Sequence, residues 1–284
     1  KTKEVYPTAG LEITEFTEDA YTKIENDLHT YTSDYRSNKN GVVTKYKDEY
    51  YSDAATGLTS EQYTQLKQKM LKSVYQNGGF YIGKYETGTE TARTSGNAPT
   101  DTPVIKQNVY PYNYVTCSQA QTLATTKMES GDRTTSLLFG VQWDLTLKYL
   151  ETKGTSQADL KNNSTSWGNY ENNAWNITNE NLKYAEYKNY SLQPWTTATE
   201  KSKTSSEQIL LSTGADESFS KMGIYDLAGN VFEWTLEYTS NTNRPCANRG
   251  GTHDNTGSSY PASSRDYYYT TNAYNNHGFR CVLY

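Results

Sequence analysis

Apolar residues are sparse in this chain, but where they recur with a helical period they come with helix punctuation. Thr59-Ser60-Glu61-Gln62 has the spacing of a capping box, with the Thr59 hydroxyl accepting an early helical N–H and Gln62 reaching back. Tyr63, Leu66, Met70 and Val74 follow on one face, and Asn77-Gly78-Gly79 provides the stop. Ser118-x-x-Gln121 predicts a second helix with Leu123, Ala124 and Met128 turned inward. A third is expected from about Val141 to Glu151, with Trp143, Leu147 and Leu150 on its apolar face and Gly154 as terminator. The pattern is weaker elsewhere. Glu12–Phe16 reads as a short strand, and Tyr31–Tyr51 alternates faintly around the turn signal Asn38-Lys39-Asn40-Gly41. Residues 1–58 are polar, and we expect an N-terminal extension that wraps a main domain of residues 59–284 or links it to something larger. From Asn162 to Asn181, Asn, Ser, Thr and Gly compete for their own backbone, which predicts a long loop pinned by Trp167 and Trp175. Ser202–Ser220 reads as a further exposed connection, and no internal repeat is evident.

The C-terminal stretch has a different character. Gly223–Thr235 is apolar and glycine-punctuated, a core element with Trp234 inside. Arg249-Gly250-Gly251 and Gly278-Phe279-Arg280-Cys281-Val282 form two further brackets, with Phe279 also core. Between them, Thr252–His277 contains only Tyr, Asn, Ser, Thr, Asp, His, Gly, Ala, Pro and a single Arg. A frame around interchangeable polar and aromatic side chains is the pattern of a binding surface: Tyr supplies amphipathic area at little rotamer cost, and Ser, Asn and Asp supply adaptable hydrogen bonds. Candidate ligand-binding residues are His253, Asp254, Asn255, Ser258, Ser259, Tyr260, Asp266, Tyr267, Tyr268, Tyr269, Asn272, Tyr274, Asn275, Asn276 and His277, the tyrosines acting as anchors. Pro261-Ala262-Ser263 and Arg265 read as frame. Neighbours on an extended chain point in opposite directions, so at least one of Tyr267–Tyr269 should face solvent. Every residue of the window is reachable from an Asn codon by changing only its two adenines, whereas Lys and Glu, common elsewhere in the chain, are missing.

Composition narrows the function. The 284 residues suffice for one large domain or two small ones, with material for a core although the apolar fraction is only 34%, because the 27 tyrosines can serve both core and surface. A net charge of −5 with scattered Lys and Arg argues against sequence-independent nucleic-acid binding. No apolar run approaches membrane-spanning length and no charged-then-apolar leader is present, so neither a span nor a signal peptide is expected. Cys117, Cys246 and Cys281 fit no zinc spacing, and one disulfide or three unpaired thiols both remain open. The histidines His29, His253 and His277 show no His-x-x-x-His or His-x-x-x-Glu pair, and neither a nucleophile elbow nor a phosphate loop is present.

The pattern Gly-x-Tyr-Asp-x-Ala-Gly-Asn-Val-x-Glu-Trp at 223–234, with Arg249-Gly250-Gly251 and Gly278-Phe279-Arg280-Cys281, resembles the formylglycine-generating-enzyme family, a branch of the C-type lectin fold. Gly79–Glu86 resembles that family's opening strand, and Gly140–Asp144 lies where it carries a helix, so the likeness spans roughly residues 78–284. It implies an α+β, C-type lectin-like fold with extensive loop structure. The family's enzymes use a cysteine pair shortly after Arg-Gly-Gly, and Asn255 and Tyr260 fall near those positions, so the resemblance implies that formylglycine synthesis is lost. It also implies a structural calcium ion held by the carboxylates of Asp226 and Glu233 and the carbonyls of Gly229 and Val231, an oxygen-only set suited to a hard cation. On the residues alone, the same carboxylates serve equally as caps of backbone N–H groups. With its terminal window, the chain further resembles the variable proteins of diversity-generating retroelements. The function expected is non-catalytic recognition of a macromolecular target, a protein, on a phage tail or bacterial surface, with no cofactor required. The alternatives are a metal-dependent oxidoreductase of the same family and a carbohydrate-binding lectin using Trp167, Trp175 and calcium.

Overall fold

A computed structural model describes residues 11–38, 41–42, 46–128 and 133–284. Its helices are α1 (Glu18–Tyr31), the single turn α2 (Asp53–Thr56), α3 (Ser60–Asn77), α4 (Cys117–Met128) and α5 (Gly140–Thr152). The strands that matter here are β1 (Tyr46–Lys47), β2 (Tyr81–Ile82), β3 (Thr135–Leu137), β4 (Trp175–Lys188), β5 (Thr196–Lys203), β6 (Ile209–Leu211), β7 (Phe232–Thr239), β8 (Cys246–Arg249), β9 (Arg265–Tyr268), β10 (His277–Phe279) and β11 (Cys281–Leu283). The fold is α+β.

The capping box at α3 forms as its spacing predicts. Thr59 Oγ1 accepts from Gln62 N, Gln62 Oε1 accepts from Thr59 N at 2.9 Å, and Gly78 ends the helix at φ +73°. At α4 the box lies two residues earlier than expected. Thr116 and Gln119 make it, while the buried Gln121 instead accepts from the Leu137 N–H at 2.9 Å, because an unpaired N–H in the core is the costlier defect. Helix α5 runs from Gly140 with Trp143, Leu147 and Leu150 buried, and Gly154 follows at φ +101°.

Three sequence expectations are corrected. Glu12–Phe16 forms no strand, and its Ile13 N–H is taken by the Tyr75 hydroxyl. The polar segment behind it folds as α1, capped by Thr17, with Ala20, Ile24 and Leu28 buried at helical spacing and the last two packed into the same core as α3. The supposed loop at 162–181 runs into the first half of β4, and that at 202–220 holds the end of β5 and all of β6, in a sheet ordered β5-β4-β6 whose Ile177, Leu182, Ile209 and Leu211 form a cluster of their own. The run Ile209-Leu210-Leu211 was the available signal. Ser37–Asn38 pairs with Gly41–Val42 around the expected turn, whose tip lies outside the described residues.

The sheet that matters most is ordered β9-β8-β7-β10, with β1 pairing on the far end of β7. Strand β10 runs parallel to β7 and β8 antiparallel to it, so the apolar Gly223–Thr235 segment becomes the centre of the sheet and β9 an edge. A second sheet, β2-β11-β3, continues from the chain's end. One core fills the space between these sheets and α1, α3 and α4, and a second surrounds α5 with Trp143, Trp167, Tyr170 and Leu227.

Candidate ligand-binding face

The frame begins in the turn before β7. Asp226, Gly229 and Asn230 all have left-handed backbone, and a Cβ on Gly229 would lie 2.4 Å from the Asn169 carbonyl oxygen. Asn230 ties three segments together: its Oδ1 accepts from Leu211 N and Asn169 Nδ2, and its Nδ2 donates to Glu86. Arg280 holds both oxygens of Glu233 and donates to the carbonyls of Gly83 and Tyr225. Burial pushes Asp226 up to about 7, against the Gly214 N–H and Arg280.

Four more buried charges fasten the window to α5. Arg249 donates to Asp144 at 2.8 Å, and Arg265 donates to Glu237 at 3.0 and 3.1 Å, to Asp144 at 2.5 Å and to the Tyr35 carbonyl at 2.6 Å. Two guanidiniums against two carboxylates balance, as buried charges must. The expected frame residues Pro261, Ala262 and Ser263 are buried; Ala262 accepts from Trp143 Nε1, and Ser263 N donates to Leu160. A Cβ on Gly251, at φ +79°, would lie 2.5 Å from the Tyr260 carbonyl, so the second glycine of the bracket is required for the window to close over it.

On this frame the tyrosines divide by strand alternation. Tyr267 packs on Tyr46, with ring centroids 6.3 Å apart, on one side of β9. Tyr268 lies on the other, 4.4 Å from His277 and 6.3 Å from Trp234. Tyr260 and Tyr268 both hydrogen-bond Asp266, and Tyr260 lies edge-on to Phe232. Tyr269 is 44% exposed with the Arg244 guanidinium over its ring, and Tyr274 is 48% exposed. Ser258 and Ser259 are exposed, and Asp254, Asn255, Asn275 and Asn276 are half-buried, Asn276 donating to Asp254 at 3.1 Å.

Three candidates do not reach the surface. His253 is fully buried, its Nδ1 against the Asn230 carbonyl. Asn272 is buried and accepts from the Tyr269 N–H, shaping the turn that presents that ring. His277 is buried among Phe232, Trp234, Tyr268 and Tyr274, and burial pulls it down to about 3. All three belong to the platform beneath the face: His277 lies in β10, Asn272 turns inward at the end of the 269–272 turn, and Asn230 holds His253 below it. Arg244 joins the face from outside the window, brought there by the β7–β8 connection; only that tertiary neighbour reveals it.

Of the expected calcium ligands the two carboxylates are already engaged: Asp226 accepts from Gly214 N at 2.6 Å and Glu233 is ion-paired with Arg280. Among the described residues, the group of three His, Cys, Asp or Glu close enough to share an ion is Glu25, His29 and Asp48. There Lys67 already pairs with Glu25, and the Gly140 and Val141 N–H groups take both Asp48 oxygens. Trp167 is buried, donating to the Asp159 carbonyl, and half-buried Trp175 donates to Asn169, so they form no sugar-stacking pair. No helix among the described residues is long and apolar enough to cross a membrane.

Fold and site together define an α+β domain whose end face of polar and aromatic side chains rests on a charge-locked frame. The profile of the sulfatase-modifying factor enzyme 1-like domain matches residues 55–284, and the chain belongs to that family. Among solved structures it is similar to Treponema denticola variable protein 1, at 14% identity over 77% of this chain and 67% of that one with a TM-score of 0.29. It is also similar to CarF, known from a crystal structure, at 17% identity over 94% of this chain and 83% of that one with a TM-score of 0.24. No curated protein sequence matches the chain significantly.

Proposed function

We propose that this protein is a non-catalytic recognition module whose C-terminal face binds a macromolecular target, a protein, and that the face is diversified within residues 252–277. The observation that carries the reading is the pairing of two solvent-exposed tyrosines, Tyr269 and Tyr274, with a backbone locked by the Arg249–Asp144–Arg265–Glu237 network. A stiff platform loses little conformational entropy on binding, so the aromatic contact area is converted into affinity. Asn255 and Tyr260 stand near the positions where the family's enzymes keep cysteines, which supports recognition over turnover. A phage tail or bacterial surface is the setting such a face suits.

The test is capture from a bacterial surface-protein fraction. Tyr269→Ala and Tyr274→Ala should each weaken capture by ten- to a hundredfold, corresponding to about 1–3 kcal/mol at an aromatic anchor. Tyr190→Ala, at a residue 94% exposed in the β4 hairpin, should leave it unchanged. Capture insensitive to both window tyrosines, or equally lost with Tyr190→Ala, refutes the proposal. Adjoining DNA holding a reverse-transcriptase gene and a near-copy of the window differing only at adenines would establish the diversification; its absence would refute that part alone.

A further inference from the structure

Two of the three cysteines meet in the core, far apart in sequence. Cys117 opens α4 and its Sγ donates to the Thr235 carbonyl on β7 at 3.3 Å. Cys246 opens β8, with its Sγ 3.9 Å from the Ala55 carbonyl of α2. The Thr235 hydroxyl reaches the carbonyl of Ala247, the residue beside Cys246, so Cys117 and Cys246 are anchored on adjoining stretches of the same strand pair. Both are free thiols buried in one apolar cluster, and the Cys246 thiol is near enough to raise that of Cys117. Cys281 lies in the same cluster, but its Sγ is 3.4 Å from the Thr87 hydroxyl.

We propose that Cys117 and Cys246 close a disulfide when the chain folds in the presence of a small disulfide oxidant, bolting α4 to the strand that carries the tyrosine-bearing edge. Cys246 is the register partner of Tyr268, so the bridge acts directly behind the face. The chemistry is thiol–disulfide exchange. One cysteine thiolate attacks oxidised glutathione, forming a mixed disulfide and releasing one glutathione thiol. The second thiolate attacks the protein sulfur and expels the second glutathione. Two protein thiols lose their protons and two electrons pass to the glutathione disulfide. In the folded state the neighbouring Cys246 thiol and then burial push the Cys117 thiol well above its ordinary value, and such a thiol is a poor nucleophile. The bridge therefore forms during folding, while both sulfurs are still accessible, and the reduced folded protein resists oxidation.

The full chain, denatured in reductant, is refolded either in a reduced/oxidised glutathione mixture or in reductant alone, and its thiols are counted in denaturant. Oxidative refolding should leave one thiol per chain, against three from the reducing arm, with a Cys117–Cys246 linked peptide in the digest. The melting temperature should rise by about 10 °C, since the bridge closes a long loop. Cys281→Ser should retain the bridge with no thiol left, and Cys117→Ser should lose it. Three thiols after oxidative refolding, or a bridge that recruits Cys281, overturns the proposal. The wild-type count decides even where a serine variant fails to fold.

Discussion

Replacing Arg265 with alanine removes one guanidinium from a buried network of two cations and two anions. Its side chain makes two bonds to Glu237, one to Asp144 and one to the Tyr35 carbonyl. The remaining Arg249 still pairs with Asp144 at 2.8 Å but stands 3.6 Å from Glu237, so one buried carboxylate is left without a close partner. Removing one member of such a pair costs about 3–5 kcal/mol, far more than the pair's own net worth, because the stranded charge keeps its desolvation penalty. For a domain of this size that is a fall in melting temperature of about 10 °C. Thermal and urea unfolding followed by circular dichroism measure it. Arg265→Lys should restore less than half of the loss, since an ammonium lacks the planar fork that spans both carboxylates. Tyr269→Ala, on the same edge but exposed, should change stability by less than about 1 kcal/mol. A loss below about 1 kcal/mol for Arg265→Ala, or full rescue by lysine, would refute the assignment of this arginine as the lock of the face.

Two further outcomes follow from the buried ionisable groups. His277 is held at about 3 by burial against an ordinary 6.5, a depressed value, so its contribution is complete above pH 6.5 and is lost as pH falls from there towards 3. Stability should decline through that window by about 1.4 kcal/mol per pH unit from this group, and His277→Phe should flatten the acid limb by that slope; equal slopes would sink the idea. With Asp226 and Glu233 already bound to Gly214 and Arg280, chelation by EDTA should leave the melting temperature unchanged within about 1 °C, and a larger drop reversed by calcium would contradict the ion-pair assignment.

Much of the chain's order was legible without coordinates. Helix α3 was readable to its caps because a capping box and a αL glycine are local devices, satisfied within a few residues. One of the three consecutive tyrosines does face solvent, but it is Tyr269, exposed by the turn beyond the strand's end at Tyr268. Helix α1 was missed because its apolar stripe is three residues long and diluted by charge, and it gains its stability from packing on α3. The β4–β6 sheet is hidden in the sequence because its Asn, Glu and Lys lower strand propensity and only long-range pairing compensates.

Within the window, composition alone marked out a polar, tyrosine-rich segment bounded by Arg-Gly-Gly and Gly-Phe-Arg-Cys, and local chemistry could assign it to a surface. Which side chains reach that surface was decided only by the fold. His253, Asn272 and His277 have the same polar character as their neighbours, yet the sheet register and the 269–272 turn rotate them inward, while Arg244 arrives from another segment. Sequence records the type of each side chain. Its direction depends on partners that are distant along the chain, and only the folded backbone brings those partners within hydrogen-bonding and packing distance.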